Sequence, residues 1–137
     1  MSAARGEGAV PRTGGSALVL VIDHDEHARF IYRSMLTHYG YEVVTATDAA
    51  AGIEVCNASP PDVIVVDIDP PTCASLDTVR GLLEHRRFRG RTVATTRRAM
   101  LHEQLGLRGL RFAALLVKPI DPKLVLNAVC GTFGGSD

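Results

Sequence analysis

The chain has 137 residues, of which 46% are hydrophobic and 22% are charged. This composition suits one globular domain with a sizeable core and excludes a disordered chain. Fifteen basic residues balance fifteen acidic ones, so no net charge directs the protein to nucleic acid or to a membrane surface.

Residues 1–15 are the first segment, and their Gly, Pro, Arg and Ser content predicts a flexible N-terminal tail. They lack the apolar run of a signal peptide. Nowhere does the chain approach the roughly 20 apolar residues of a membrane helix. We therefore expect a soluble domain over residues 16–130, followed by a C-terminal tail at 131–137.

Short apolar runs alternate with segments of helical periodicity through the rest of the chain. The β-forming runs predict five strands, at about 17–22, 42–46, 63–66, 92–95 and 113–117. The periodic segments predict five helices, at about 26–38, 48–57, 76–87, 99–105 and 122–129. Five strand–helix units with short connections predict an α/β fold, a flavodoxin-like (βα)5 doubly wound parallel sheet with strand order 2-1-3-4-5.

Local signals refine these elements. Ile31, Met35 and Tyr39 share one face of the first helix, which we expect to pack in the core. Thr47 and Ser75 are the expected N-caps of the second and third helices. The cysteines, at positions 56, 73 and 130, match no CxxC or zinc-ligand pattern, so reduced thiols and a cytoplasmic location are expected.

Acidic residues follow the first and third strands, at Asp23 and Asp67. The carboxyl ends of parallel strands meet at the ligand-binding edge of an open sheet, and strands one and three are neighbours in the predicted order. Close carboxylates repel each other unless a cation lies between them, and Mg²⁺ suits such oxygen ligands. An ionised aspartate can also attack phosphorus as a nucleophile.

Two further polar residues follow the fourth and fifth strands. Thr96 offers a hydroxyl to a phosphate oxygen, and Lys118 offers a point positive charge for developing phosphoryl charge. Thr95 takes the place of Thr96 if the fourth strand is shifted by one residue. Two acids, a hydroxyl and an ammonium group on successive strand ends predict phosphoryl transfer.

This ordered set resembles the CheY-like receiver domain of two-component response regulators over about residues 17–129. In that family an acidic pair follows strand one, a phospho-accepting Asp follows strand three, Thr or Ser follows strand four, and Lys-Pro follows strand five. Asp23, Asp67, Thr96 and Lys118 match these positions, and Pro119 completes the Lys-Pro pair. The resemblance also implies a cis bond before that proline.

The resemblance further implies a function, that of a single-domain receiver in a phosphorelay. A histidine kinase or phosphotransfer protein would phosphorylate Asp67, and a separate effector protein would read the result, since only residues 131–137 follow the last helix. Mg²⁺ would be held by Asp23, Asp67 and the backbone carbonyl of Asp69. We expect no enzymatic activity beyond autophosphorylation and autodephosphorylation, and no feature indicates an oligomeric state.

The chain departs from the family pattern at the metal site. His24 stands where the family usually supplies a second acidic Mg²⁺ ligand, and imidazole prefers softer metals. The magnesium site is therefore expected to be weakened. Asp25 follows, with its side chain expected to point elsewhere. The Asp69 carboxylate is expected either to replace the missing ligand in part or to repel a phosphodonor.

Other departures concern the output. Leu115 replaces the family's usual aromatic residue, Arg97 replaces a small residue at the pocket mouth, and Arg111-Phe112 replaces Gly-Ala before strand five. Leu115, together with His24 at the metal site, motivates an alternative, a pseudo-receiver that binds proteins without phosphorylation.

Two further patterns in the sequence suggest functions other than that of a receiver. Asp67-Ile68-Asp69 resembles the DxD motif of haloacid-dehalogenase-type phosphatases, but Pro71 stands where that motif has Thr or Val. The arginine-rich run at 86–91 resembles a nucleic-acid patch, yet it lies in a loop of a neutral chain, so no nucleic-acid partner is expected.

Overall fold

The computed structural model of the protein describes residues 17–99 and 109–134. The predicted tail at 1–15 lies outside the described residues, as does the predicted fourth helix except for residue 99. The strands are β1 (Leu18–Ile22), β2 (Glu42–Ala46), β3 (Val63–Asp67), β4 (Arg91–Thr96) and β5 (Ala114–Val117). The described helices are α1 (Glu26–His38), α2 (Ala49–Ala58), α3 (Leu76–Leu83) and α4 (Pro122–Gly134).

The five strands form one parallel sheet with the order β2-β1-β3-β4-β5. This confirms the flavodoxin-like fold expected from the sequence. The central strand β3 is buried along its whole length, because apolar layers cover both faces of the sheet. Alternate residues of β3 serve the two layers, with Ile64 and Val66 on one face and Val63 and Val65 on the other.

Helix α1 covers one face of the sheet, but its buried positions differ from those expected. Tyr32 and Leu36 are the buried residues of the helix, and Ile31 and Met35 pack against them at its margin. Tyr39 is 49% exposed, so the prediction that it belongs to the core is wrong. The helix ends at His38 with Tyr39 as its C-cap, and the turn directs that ring outward.

Several helix boundaries also differ from the predictions. Asp48, not Thr47, is the N-cap of α2 and accepts a hydrogen bond from the backbone N–H of Ala51. Helix α3 ends at Leu83 rather than near residue 87, because the chain turns to bury Phe88 in the core. Ser75 caps α3 as expected, and α4 begins at Pro122 but continues to Gly134, past the expected end at 129 and into the expected tail.

No helix among residues 17–99 and 109–134 is long and apolar enough to span a membrane. The cysteines, at positions 56, 73 and 130, are free thiols, as expected.

Gly90, which precedes β4, allows a close approach of two backbone segments. A Cβ atom there would lie 1.9 Å from the carbonyl oxygen of Asp62. We expect Gly90→Ala to lower the free energy of unfolding by about 1–3 kcal/mol, because the backbone must shift. Gly81→Ala is the matched control: its Cβ meets nothing within 4 Å, and helix α3 should gain up to about 1 kcal/mol. Urea denaturation measures both, and equal effects would contradict the clash.

Candidate phosphoryl-transfer site

Four of the predicted site residues lie at one edge of the sheet. Asp67 is the last residue of β3 and Thr96 the last of β4, while Asp23 and Lys118 directly follow β1 and β5. The pairing of β1 with β3, β3 with β4 and β4 with β5 sets these strand ends side by side. The edge is the carboxyl edge of a parallel sheet, where ligands bind in such folds.

Lys118 joins the two predicted metal-binding acids. Its Nζ lies 3.3 Å from Oδ2 of Asp23 and 3.5 Å from Oδ2 of Asp67. Its backbone N–H donates to the carbonyl of Thr96 at 2.7 Å, which anchors the residue beside β4. The following bond to Pro119 is cis, as the resemblance implied. Two buried carboxylates thus share one ammonium group, and the cluster carries a net negative charge.

Both oxygens of the Asp67 carboxylate are engaged within the protein. Oδ1 accepts a hydrogen bond from the backbone N–H of Asp69 at 3.2 Å, while Oδ2 faces Lys118. Burial raises the pKa of Asp67, and the charge of Asp23 raises it further, while the Asp69 N–H and Lys118 lower it. The carboxylate is therefore held in a site that disfavours its charge, which a divalent cation would offset.

Thr72 is a contact of Asp67 that the sequence did not indicate. Its buried hydroxyl donates to Asp67 Oδ2 at 3.2 Å and accepts from the backbone N–H of His24 at 2.8 Å. The Thr72 carbonyl accepts from the N–H of Ala49, which fixes the turn after β3. Because this contact depends on the path of the turn, no spacing rule predicts it.

The Thr96 hydroxyl bonds to Asp69 and not to the Asp67 carboxylate. Its fully buried hydroxyl donates to Oδ1 of Asp69 at 2.6 Å. The other oxygen of Asp69 accepts from the backbone N–H of Arg97 at 2.7 Å, and Arg98 Nε lies 3.0 Å from Oδ1. Burial alone would raise the pKa of Asp69, but the bonds from Thr96, Arg97 and Arg98 outweigh it and lower the pKa.

Neither His24 nor Asp25 adds a side chain to the cluster. His24 is exposed, and its backbone carbonyl accepts a hydrogen bond from Arg29 at 3.0 Å. Asp25 caps α1, where its carboxylate accepts from the N–H of His27, in keeping with the expectation that it points elsewhere. The Asp69 carbonyl, expected to face the metal, accepts from the N–H of Cys73 at 3.2 Å.

The donor set fits Mg²⁺ as a two-carboxylate site. Asp23 and Asp67 are buried, adjacent and short of positive charge, and Mg²⁺ commonly uses one or two carboxylates with waters and phosphate oxygens. Within the part of the chain that the structure describes, no three His, Cys, Asp or Glu side chains are grouped to hold a metal. The Asp69 carboxylate, directed at Thr96, does not replace the acid missing at position 24.

A cavity of about 520 Å³ opens beside Lys118, between α1 and the segment that leads into α4. Arg97 lies at its wall, as expected for a residue at the pocket mouth. Tyr32 lines it as well, and burial, followed by the charges of Asp23 and Asp67, raises the pKa of Tyr32 to about 12. The cavity is therefore lined by both apolar and charged side chains.

The remaining departures lie on β4, on β5 and just before β5. Leu115 and Phe112 are partly buried and pack against the core layer that contains Ala94. Thr95 is buried and pairs in register with Asp67, and within residues 17–99 and 109–134 its hydroxyl has no hydrogen-bond partner. The strand is therefore not shifted, and Thr96 keeps the position expected from the sequence.

Comparison with known proteins agrees with this architecture. The sequence model of the response regulator receiver domain family matches residues 19–130. Chemotaxis protein CheY of Thermotoga maritima is 25% identical over 114 residues, which cover 81% of this chain and 92% of that protein. Transcriptional regulatory protein KdpE of Mycobacterium tuberculosis is 37% identical over 65 residues, 47% of this chain but only 29% of KdpE. The chain thus matches less than a third of the length of KdpE.

Solved structures show the same fold. CheY4 of Vibrio cholerae superposes with a TM-score of 0.75 at 22% identity, covering 85% of this chain and 98% of CheY4. The HemR receiver domain of Leptospira biflexa gives 0.74 at 18% identity, covering 89% and 98%. The family assignment argues against the haloacid-dehalogenase alternative. The chain belongs to the response regulator receiver domain family, the CheY-like signalling domains of two-component systems.

Proposed function

We propose that Asp67 accepts a phosphoryl group from the phosphohistidine of a histidine kinase or phosphotransfer protein. The observation that carries the proposal is the buried Asp67 carboxylate, which shares Lys118 with Asp23 at the ligand-binding edge of the sheet. A buried acid with so few compensating charges is unusual unless a ligand completes its environment. The free energy that it costs to bury the charge of Asp67 supports a functional role for this residue.

In the proposed reaction an oxygen of the Asp67 carboxylate attacks the phosphorus atom of the donor. A P–O bond to Asp67 forms as the P–N bond to the donor histidine breaks. The electron pair of that bond stays on the imidazole nitrogen, which takes a proton from water. Lys118, within 3.5 Å of Asp67, stabilises the negative charge on the transferred oxygens.

Asp23 and Asp67 would hold Mg²⁺ in this proposal, with the Asp69 carbonyl as a candidate third oxygen. When bound, the ion neutralises charge between the acids and the phosphoryl oxygens. The ammonium group of Lys118 already neutralises part of the charge of both acids, so it would compete with a bound Mg²⁺ ion. We therefore expect weak Mg²⁺ binding, in keeping with His24 at the position of the second acid.

The proposed output is protein binding. The phosphorylated domain would change its affinity for an effector protein, and transfer onto and off Asp67 would be its only chemistry. A phosphodonor would approach through the cavity beside Lys118, whose wall includes Tyr32 and Arg97. A cytoplasmic location and action as a single-domain receiver complete the proposal, and the free thiols support the former.

Acetyl phosphate with Mg²⁺ tests the proposal directly. The wild-type chain should gain the mass of one phosphoryl group, because Asp67 is the nucleophile, and Asp67→Asn should gain none. Asp77→Asn, which changes an exposed acid at the start of α3, should behave as wild type. Intact-protein mass spectrometry gives the result. A wild-type chain that stays unmodified, or an Asp67→Asn chain that gains the same mass, would contradict the proposal.

A second candidate is the phosphorylation-independent pseudo-receiver. The observation that favours it is the bond of Thr96 to Asp69, which leaves the expected switch hydroxyl engaged without a phosphoryl group. In that case the wild-type chain and Asp67→Asn would bind an effector equally well, before and after treatment with acetyl phosphate. A loss of signalling in cells that carry Asp67→Asn would exclude it.

A further inference from the structure

Asp69 forms a compact hydrogen-bonded clamp with the end of β4 that the proposed phosphoryl transfer does not use. Oδ1 receives the Thr96 hydroxyl at 2.6 Å and Arg98 Nε at 3.0 Å, and Oδ2 receives the Arg97 N–H at 2.7 Å. The backbone N–H of Arg98 in turn donates to Thr96 Oγ1 at 3.0 Å. Asp69 and Thr96 are both buried, so water competes little for the bond between them.

The Thr96 hydroxyl has one proton to donate, and Asp69 receives it. A phosphoryl oxygen on Asp67 needs that same proton to bind Thr96. Both the Asp69 carboxylate and a phosphoryl group are ionised acceptors, so charge strengthens either bond and gives the Thr96 hydroxyl no gain from changing partner. Two other groups, the Arg97 N–H and Arg98 Nε, also donate to Asp69 in the clamp. A move of the Thr96 hydroxyl to the phosphoryl group would therefore disturb three contacts instead of one.

We propose that Asp69 is a positioning residue that holds the Thr96 hydroxyl whether or not Asp67 is phosphorylated. The clamp thereby uncouples Thr96, the last residue of β4, and the two residues after it (together residues 96–98) from the phosphoryl group. The inference deepens the proposed function and rests on it, because it concerns how the domain responds to phosphorylation. The Asp69 carboxylate supplies to Thr96 the anionic acceptor that a phosphoryl group would otherwise provide.

Nuclear magnetic resonance on the full chain tests this uncoupling, with acetyl phosphate and Mg²⁺ as the probe. In the wild type, phosphorylation should shift the backbone amide signals of residues 67–69 and 118 but leave those of 96–98 nearly unchanged. Asp69→Ala removes the acceptor and should make the shifts at 96–98 several-fold larger. Asp69→Asn keeps the shape and one oxygen acceptor, so it should give an intermediate response. Asp77→Ala is the control and should match the wild type.

Equal shifts at 96–98 in the wild type and Asp69→Ala would overturn the inference. A double-mutant cycle of Asp69→Asn and Thr96→Val, measured by urea denaturation, tests the clamp without phosphorylation and covers the case in which the alanine variant does not fold. We expect non-additive changes in the denaturation midpoint, and additive changes would overturn the clamp. Non-additive changes in a chain that gains no phosphoryl mass would instead refute the proposed function, and the uncoupling with it.

Discussion

Lys118→Met should lower the free energy of unfolding by about 3 kcal/mol in metal-free buffer. Lys118 lies within hydrogen-bonding or ion-pair distance of Asp23 and Asp67, so its loss leaves two buried carboxylates facing each other without a cation. Removal of one partner from a buried ion pair typically costs about 3–5 kcal/mol. The lower end applies because the Lys118 side chain is 15% exposed and water screens part of the interaction.

Addition of Mg²⁺ should restore part of this loss, since the ion takes over the neutralisation of the two acids. The other lysine of the chain provides the control, because Lys123 is exposed and Lys123→Met removes the same group. That variant should stay within about 0.5 kcal/mol of wild type and should gain no added Mg²⁺ dependence. Urea denaturation with EDTA and with Mg²⁺ measures both. Equal losses of stability in the two variants would show that Lys118 does not stabilise the Asp23–Asp67 pair.

Asp67→Asn should raise stability at neutral pH while it abolishes phosphorylation. Burial and the charge of Asp23 raise the pKa of Asp67, so the folded state disfavours the ionised form. Asparagine keeps the shape and can still accept the N–H of Asp69. Removal of the buried charge should therefore stabilise the folded state in metal-free buffer, by about 0.5–2 kcal/mol, the usual size of a single stabilising substitution.

The gain in stability from Asp67→Asn should increase with pH. A carboxyl group whose pKa is raised on folding binds its proton more tightly in the folded state. Its contribution to stability is present below the unfolded pKa and is lost as pH rises through the higher folded pKa of Asp67. The advantage of Asp67→Asn over wild type should therefore appear as pH rises through that window and then stay constant.

Thermal or urea denaturation over a range of pH checks this result, with Asp77→Asn as an exposed control. An advantage that grows as pH falls, or none at neutral pH, would mean that Asp67 is stabilised as a carboxylate. The predicted behaviour explains why a domain would keep a destabilising acid at position 67. In the proposed function the acid would be retained for its reactivity, at some expense in stability.

The edge of the sheet where the site lies could be predicted from the sequence. Apolar runs of four to six residues specify strands, and short connections through helices make those strands parallel. Residues that directly follow or end such strands must then share one edge. Asp23, Asp67 and Lys118 meet there because strand order alone brings them together. The family assignment agrees with this result over residues 19–130.

Side-chain partners within that edge depended on tertiary structure. Thr96 lies where it was expected, yet its hydroxyl bonds to Asp69, because the turn after β3 brings that carboxylate to 2.6 Å. Thr72 reaches Asp67 for a similar reason, through the path of a turn and not through sequence spacing. The exposure of Tyr39 likewise follows from the residue at which α1 ends.

The order of the strands and the residues at their ends could therefore be read from the amino-acid sequence, because hydrophobic periodicity and chain connectivity are properties of short segments of the chain. The acceptor that each buried donor uses depended instead on how distant segments pack together. Hydrogen bonds form or fail over a few tenths of an ångström, and distances that small are set by how the loops pack, as the competition for the Thr96 hydroxyl shows.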